Sequence, residues 1–384
     1  MEKIYLDYAA STPVDKRVIK EMTPFWFKKP GNSSSLHSFG QEAFIAIEKA
    51  RSQVASLMHA NPEEIVFTSS ATESNNLAIK GVAQSYSKKG KHIIISSIEH
   101  ACIQESSKWL EKKGFEVTRI KVDGFGFINI DDIKKAIRKD TVLVSIMHAN
   151  NEIGTIQPIK EIGAICREMG VLFHTDAAQS LGKIPIDVNK MNIDLLTASS
   201  HKMYGPKGVA CLFIRRGVNI EPILHGGGHE EGLRSSTMNS TGIVGFGRAC
   251  EICAQEMKVE SKKQISLRDK LINGVLKIKG SRLNGHSKKR LPNNANFGFN
   301  FIEGESLIMQ LDFNGIYAST GSACSSAKLQ ASHVLLAIGL RPEQAHGSLR
   351  ISLGRWTTEK EIDRVLKVLP KVVKKLRDIS PFKR

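Results

Sequence analysis

Ser199-Ser200-His201-Lys202-Met203-Tyr204-Gly205-Pro206-Lys207-Gly208 is the stretch from which the fold can be read outward. It follows Ile193-Asp194-Leu195-Leu196-Thr197-Ala198, a short apolar run with the texture of a buried strand. Glycine, proline and glycine then break the chain before a second such run, Val209-Ala210-Cys211-Leu212-Phe213-Ile214. Lys202 therefore belongs to a loop at the end of a core strand, not to a solvated helix face. A lysine that loses solvent there shifts toward the neutral amine, the form that makes Schiff bases. The adjacent hydroxyl and imidazole could hold an anion. Read alone, the same lysine could equally be a surface charge.

Working outward, strand-like and helical runs alternate between residues 60 and 215. Glu64–Thr68, His92–Ser96, Thr141–Met147 and Val171–His174 read as strands, and helices are expected from Thr72, from Ala101 and over Ile159–Met169. The strands are continuously apolar, as in a mostly parallel sheet covered by helices on both faces. The class is α/β. Beyond a helical stretch over Gly242–Lys279 the texture changes. Asn296-Phe297-Gly298-Phe299-Asn300-Phe301 alternates like a strand with one wet face, and helices follow at Glu305–Asp312 and Thr358–Leu376. The expected division is a large α/β domain over 14–255 and a smaller α+β domain made of 1–13 and 256–384.

Composition narrows the classes. At 384 residues, with 41% hydrophobic residues and 31 glycines, the chain reads as a globular protein of more than one domain. No run approaches the roughly 18 apolar residues needed to span a bilayer. Met1-Glu2-Lys3-Ile4-Tyr5 has no signal-peptide character, and six cysteines without a paired framework suit a reducing compartment. A soluble, cytoplasmic protein with no membrane association is expected. The net charge of +17 is spread along the chain, densest at Lys371, Lys374, Lys375, Arg377, Lys383 and Arg384. No basic stripe interleaved with aromatics accompanies it, so direct nucleic-acid binding is not expected.

Two further stretches carry chemistry. Ser69-Ser70-Ala71-Thr72-Glu73-Ser74-Asn75 joins a strand to a helix, and amides at a helix N-terminus favour phosphate. Asp176 ends a strand, where a carboxylate points into the ligand crevice of an open α/β sheet. Opposite a pyridine nitrogen it would keep that nitrogen protonated. Each has an ordinary alternative as a helix cap. A phosphate site, a ring-nitrogen acid and a Schiff-base lysine on one edge together specify pyridoxal 5'-phosphate. No metal site is expected: Cys250 and Cys253 have C-x-x-C spacing but no second pair.

The chain resembles the cysteine desulfurases of the NifS/IscS type, fold-type-I pyridoxal-phosphate enzymes of the class V aminotransferase family. The likeness runs nearly end to end, through Tyr5–Pro13, Ser34–Gly40, Ala71–Asn76, Asn150–Gly154, His174–Gln179, Ser200–Gly208, Gly226–Glu230 and Thr320–Ser326. It implies that Lys202 carries the cofactor, that His100 stacks on the ring and helps move protons, and that Asp176 pairs with the pyridine nitrogen. Gln179 and Asn151 would face the ring oxygen and substrate, and Ala71, Thr72, Ser199 and His201 would hold the phosphate. Thr237 would reach the phosphate of the other subunit's site, which implies a homodimer. Arg350 would clamp the substrate carboxylate. Ser70 and Ser236 stand where the family commonly has glycine.

Cys102, Cys166 and Cys211 read as small core residues. Cys324 differs: small residues Thr320, Gly321, Ser322, Ala323, Ser325 and Ser326 surround it, without an apolar period. That suits a nucleophile on an exposed loop. The expected function is conversion of L-cysteine to L-alanine, with a persulfide on Cys324 passed to a sulfur-acceptor protein such as an iron–sulfur scaffold or a tRNA-thiolation enzyme. The alternatives are a selenocysteine lyase, an aminotransferase, or a non-catalytic scaffold in a sulfur-transfer complex.

Overall fold

The computed structural model describes residues 3–321 and 331–381. Seven strands form one sheet: β1 (Ile65–Thr68), β2 (His92–Ser96), β3 (Glu116–Ile120), β4 (Thr141–Ser145), β5 (Leu172–Asp176), β6 (Leu195–Ser199) and β7 (Ala210–Ile214). Their order is β1-β7-β6-β5-β4-β2-β3. All neighbours are parallel except those of β7, which runs antiparallel to β1 and β6. The C-terminal ends of the other six strands therefore share one edge, which is where ligands bind in such sheets.

Alternate strand residues feed two cores, one per face. Phe67, Ile94, Val144, Phe173, Leu196 and Phe213 pack with α1 (Ser38–Leu57). Val66, Ile93, Ile95, Leu143, Leu195 and Leu212 pack on the opposite face. That second face is covered by α2 (Ala71–Asn76), its π-helical continuation Leu77–Gly81, and α3 (Ala101–Glu111). α4 (Ile159–Glu168) joins α1 through Ile159, Ile162 and Cys166. Burial on both faces is why the inner strands read as largely apolar, whereas the edge strand β3, half-exposed, carries Glu116, Thr118 and Arg119.

A 36-residue helix, α5 (Ser240–Val275), links this body to the rest. Its first half gives Ile243, Phe246, Cys250 and Cys253 to the α1 core. Its second half gives Leu267, Leu271, Ile272 and Val275 to a separate core. The division expected at 255 falls inside this helix, between those two sets. The separate core lies on the antiparallel sheet of β8 (Ser281–Asn284), β9 (Asn294–Phe299) and β10 (Ser348–Ser352), ordered β10-β9-β8, under α6 (Glu359–Ile379). Ile4 and Leu6 also enter it, and Ile4–Tyr5 pairs in parallel with Ile316–Tyr317.

The wet face expected for Asn296–Phe301 is corrected by the structure. β9 is buried at every residue. Its polar side chains meet other polar groups: Asn284 donates to Asn296 Oδ1 at 2.7 Å, and Asn294 and Asn296 both donate to the Glu152 carbonyl at 3.2 Å. Paired amides can occupy a buried face that alternation alone assigns to water.

The two bodies are clamped by Arg355. It donates to Asp15 (2.6 Å) and Glu260 (2.9 Å) and stacks on the Tyr204 ring, 4.2 Å from its centroid. Tyr204 Oη in turn donates to Glu260 at 2.7 Å. Arg17 and then Arg355 hold the Asp15 carboxyl well below its ordinary value of 3.8, so this part of the stability is present above that pH and fades as pH falls. Arg355→Met removes one cation from two carboxylates that keep other partners, Arg17 for Asp15 and the Tyr204 hydroxyl for Glu260, and should cost about 1–3 kcal/mol. A lowered urea midpoint near neutral pH, with the deficit narrowing under acid, is the expected measurement.

Candidate active site

Five strand ends deliver polar groups to the shared edge. After β1, Ser70 caps α2 in an extended conformation (φ −165°), its hydroxyl accepting from Glu73 N–H. No positive φ is needed at this position, so serine replaces glycine without strain. Ala71 and Thr72 then supply first-turn amides, which have no intrahelical carbonyl to bond. Glu73 is paired with Arg234 at 2.7 Å and accepts from Ser69 N–H at 2.8 Å, which fixes the loop ahead of those amides.

β6 ends on Ser199 and turns directly through a short 3₁₀ segment, Ser200–Lys202. The turn is tight: a Cβ on Gly205 would lie 2.0 Å from Ser200 Oγ, so only glycine fits. Tyr204 takes a left-handed conformation (φ 66°). The N-terminal segment crosses this loop. Lys202 Nζ donates to the carbonyls of Ala9 (2.6 Å) and Ala10 (2.8 Å), and Gln179 Nε2 donates to the same Ala9 carbonyl at 3.0 Å. Thr12 donates through both N–H and Oγ1 to the His201 carbonyl, each at 3.0 Å. His201 Nδ1 lies 3.3 Å from Ser11 Oγ, and burial with three nearby lysines lowers its pKa to about 4. Its ring is neutral near pH 7.

β5 delivers Asp176, whose Oδ1 accepts from Ala178 N–H (2.9 Å) and whose Oδ2 accepts from Asn75 Nδ2 (2.7 Å). The same Asn75 amide nitrogen lies 3.2 Å from Cys102 Sγ, which lies 3.0 Å from His100 Nδ1. His100 follows β2 as the cap of α3, Nδ1 accepting from Cys102 N–H. Cys102 is thus corrected from core residue to half-buried neighbour of the site. Side chains of a helix's first turn lie back over its cap, an orientation that residue type alone does not convey. Beneath them Glu99 is fully buried, and burial raises its carboxyl well above the ordinary value; its Oε1 accepts from Met147 N–H at 2.8 Å. His148 is equally buried, and its pKa is lowered to about 4.

Arg350, on β10, is 2% exposed. It donates to Asp7 Oδ1 (2.8 Å) and to the Asn151 carbonyl (3.0 Å), while its buried Nε has no partner among the described residues. The structure therefore gathers Lys202, Asp176, His100, Gln179, Asn151 and Arg350 around one region, with Ala71, Thr72, Ser199 and His201 on its rim. Thr237 stands apart: it is exposed and lines a surface cavity with Thr68, Ser69 and Arg234. Cys324 lies outside the described residues. Sequence reading assigns no role to Asn75 or to the carbonyls of Ala9 and Ala10. Asn75 carries a readable signal, a polar residue in the helical turn that follows the expected anion loop.

Comparison with known proteins gives a consistent picture. The family model for class-V aminotransferases matches residues 4–365. Cysteine desulfurase IscS of Dictyoglomus turgidum is 52% identical over 99% of this chain and 97% of its own. Among solved structures, a NifS-like protein superposes with a TM-score of 0.92 at 41% identity, covering 98% of this chain and all of the other. A structure described as SspA in complex with cysteine gives 0.81 at 39% identity, over 93% of this chain and all of the other.

Behind Gln179 the fully buried Lys183 donates to the Gln179 carbonyl at 2.9 Å, and burial, then Lys202, lowers its pKa to about 8. The unfolded chain binds this proton from pH 10.5 downward, the folded chain only below about 8, so the group lowers stability as pH falls through that window. Lys183→Met should therefore be more stable by roughly 1–3 kcal/mol below pH 8. Denaturant titrations at several pH values should show the gain vanishing toward pH 10.5.

Proposed function

We propose that this chain, which belongs to the class-V aminotransferase family, is a pyridoxal 5'-phosphate-dependent L-cysteine desulfurase working through Cys324. The observation that carries the reading is the convergence of Lys202, Asp176 and the amides of Ala71 and Thr72 on one sheet edge. The donor set suits this cofactor: an amine for its aldehyde, a carboxylate for its ring nitrogen and open amides for its phosphate. Asn75 Oδ1, on the residue that donates to Asp176, is buried without a partner among the described residues, so polar capacity remains beside that carboxylate.

When bound, the cofactor supplies an electron sink for the charge left at Cα once its proton is removed. Lys202 Nζ would hold its aldehyde carbon and, as a free amine, would accept the Cα proton. Asp176, its own position set by Ala178 N–H and Asn75, would keep the ring nitrogen protonated. Arg350 presents a planar donor to the substrate carboxylate, and His100 covers the ring and relays protons. The Cys324 thiolate attacks the substrate sulfur: an S–S bond forms, the C–S bond breaks with its electron pair left at Cβ, and protonation of Cβ and return of a proton to Cα give L-alanine and a Cys324 persulfide. A transaminase would have no use for that thiol.

The persulfide goes to an acceptor protein, and the +17 charge favours an acidic one. The enzyme is a homodimer on this reading. Trp26 (70% exposed), Phe27 (64%), Leu36 (92%) and Ile45 (64%) leave an apolar face on the N-terminal helices, and patches of this kind mark contact surfaces. Thr237, exposed on its own subunit, is free to meet the partner's phosphate. Light scattering should give twice the chain's 42.4 kDa, and an active monomer would overturn the shared site.

Equal amounts of alanine and sulfide from L-cysteine are expected; pyruvate, or no product, would overturn the assignment. Cys324→Ser should still bind cofactor and exchange the Cα proton with solvent. A hydroxyl attacks sulfur poorly, so sulfide release should fall about 100-fold or more and no persulfide should be found by mass spectrometry. A persulfide mapped to Cys102 instead would identify a different nucleophile.

A further inference from the structure

We infer that Cys102 is a positioning residue that sets the tautomer of His100, holding its ring with Nδ1 bare and the proton on Nε2. The inference deepens the proposed function, since it assigns His100 the state in which it faces the cofactor.

Hydrogens run in one direction along Asp176, Asn75, Cys102 and His100. Asp176 as a carboxylate offers only acceptors, so the atom 2.7 Å from its Oδ2 must be the Asn75 amide nitrogen, which fixes the orientation of that amide. Its second hydrogen is directed at Cys102 Sγ, 3.2 Å away. The sulfur thus accepts from Asn75 and from the Thr72 hydroxyl, whose bond favours the thiolate as a donor's does, and its own hydrogen is left for His100 Nδ1 at 3.0 Å. Cys102 N–H donates to the same Nδ1 at 3.3 Å. Two donors from one residue converge on one ring nitrogen, and a neutral imidazole so held carries its proton on the other.

The surroundings agree. Burial pushes the Cys102 thiol up to about 12, so it keeps its hydrogen at neutral pH; the Thr72 hydroxyl on the same sulfur opposes this shift but does not offset it. Burial also lowers the His100 pKa. Asp176 and Glu152 pull the other way, and Lys202 and His333 add to the lowering. These groups reach the ring from the β5 end, the 150–152 loop, the lysine loop and the helix starting at His333, so the thiol is one of several influences and its share must be isolated by substitution.

The test uses the full-length protein, with and without cofactor. Histidine labelled at the ring nitrogens and Cε1 would be followed by NMR, with His100→Gln providing the assignment. In the wild type, Nδ1 should resonate as an unprotonated nitrogen and Nε2 as a protonated one. Cys102→Ala removes a donor to the neutral ring and should raise the His100 midpoint by about 0.5–1 pH unit, the effect of one lost hydrogen bond. Cys102→Ser, which keeps a donor, should restore the wild-type tautomer and midpoint. A proton on Nδ1 in the wild type, a midpoint unmoved in Cys102→Ala, or no rescue by serine would each overturn the inference. None of these readings requires turnover, so failure to desulfurate L-cysteine would count against the proposed function and leave this result standing.

Discussion

The Arg355 guanidinium is the contact on which the site's shape depends. It joins Asp15 beyond the N-terminal segment, Glu260 on α5 and the face of Tyr204 on the lysine loop. A buried charge contributes only when its partners satisfy it fully, and here two carboxylates and a ring do so. Tyr204 is consequently held in a left-handed conformation two residues after Lys202. Its carbonyl accepts from Asp15 N–H and its N–H donates to Thr12 Oγ1. The direction in which the lysine leaves β6 thus follows from an ion pair made on the far side of the loop.

The chemistry at the sheet edge is an electrostatic sorting problem, and burial does most of the sorting. His148 and His201 are driven neutral, Glu99 is driven toward its uncharged acid, and Cys102 keeps its hydrogen. Charge remains where it has a defined partner, as in Arg350 with Asp7 and Arg234 with Glu73. An anionic, zwitterionic ligand entering this region meets few competing charges, and those it meets are already oriented.

Much of this is legible in the sequence because strand ends constrain side chains strongly. Asp176, Lys202 and the Ser69–Thr72 loop stand at the ends of apolar runs, and a parallel sheet brings such ends together whatever lies between. Less is legible where placement depends on direction rather than on spacing. Cys102 has the composition of a core residue, yet its place in the first turn of α3 turns it toward the cap and the site. Asn296 has the pattern of a wet face, yet Asn284 and the Glu152 carbonyl bury it. Asn75 is visible as a residue, but its bond to Asp176 spans 101 positions and leaves no local trace. The parallel start of the chain, Ile4–Tyr5 beside Ile316–Tyr317, is hidden for the same reason.

That last pairing bears on how the protein is made. Residues 4–12 leave the ribosome early, but their partners are late: Ile316 and Tyr317 for the strand, Arg350 for Asp7, and Ser352 for the Ala9 amide, 343 positions downstream. The large sheet, completed by residue 214, can assemble while synthesis continues, since domains form as units in the order they emerge. The carbonyls that meet the Lys202 amine are held on one side by Gln179 and by the Thr12–His201 contacts, but the Ala9 amide gains its Ser352 partner only once β10 has appeared. A nascent chain would therefore carry a formed cofactor bed beneath a strap fastened at one side only, until β10 takes its place beside residues 7–9.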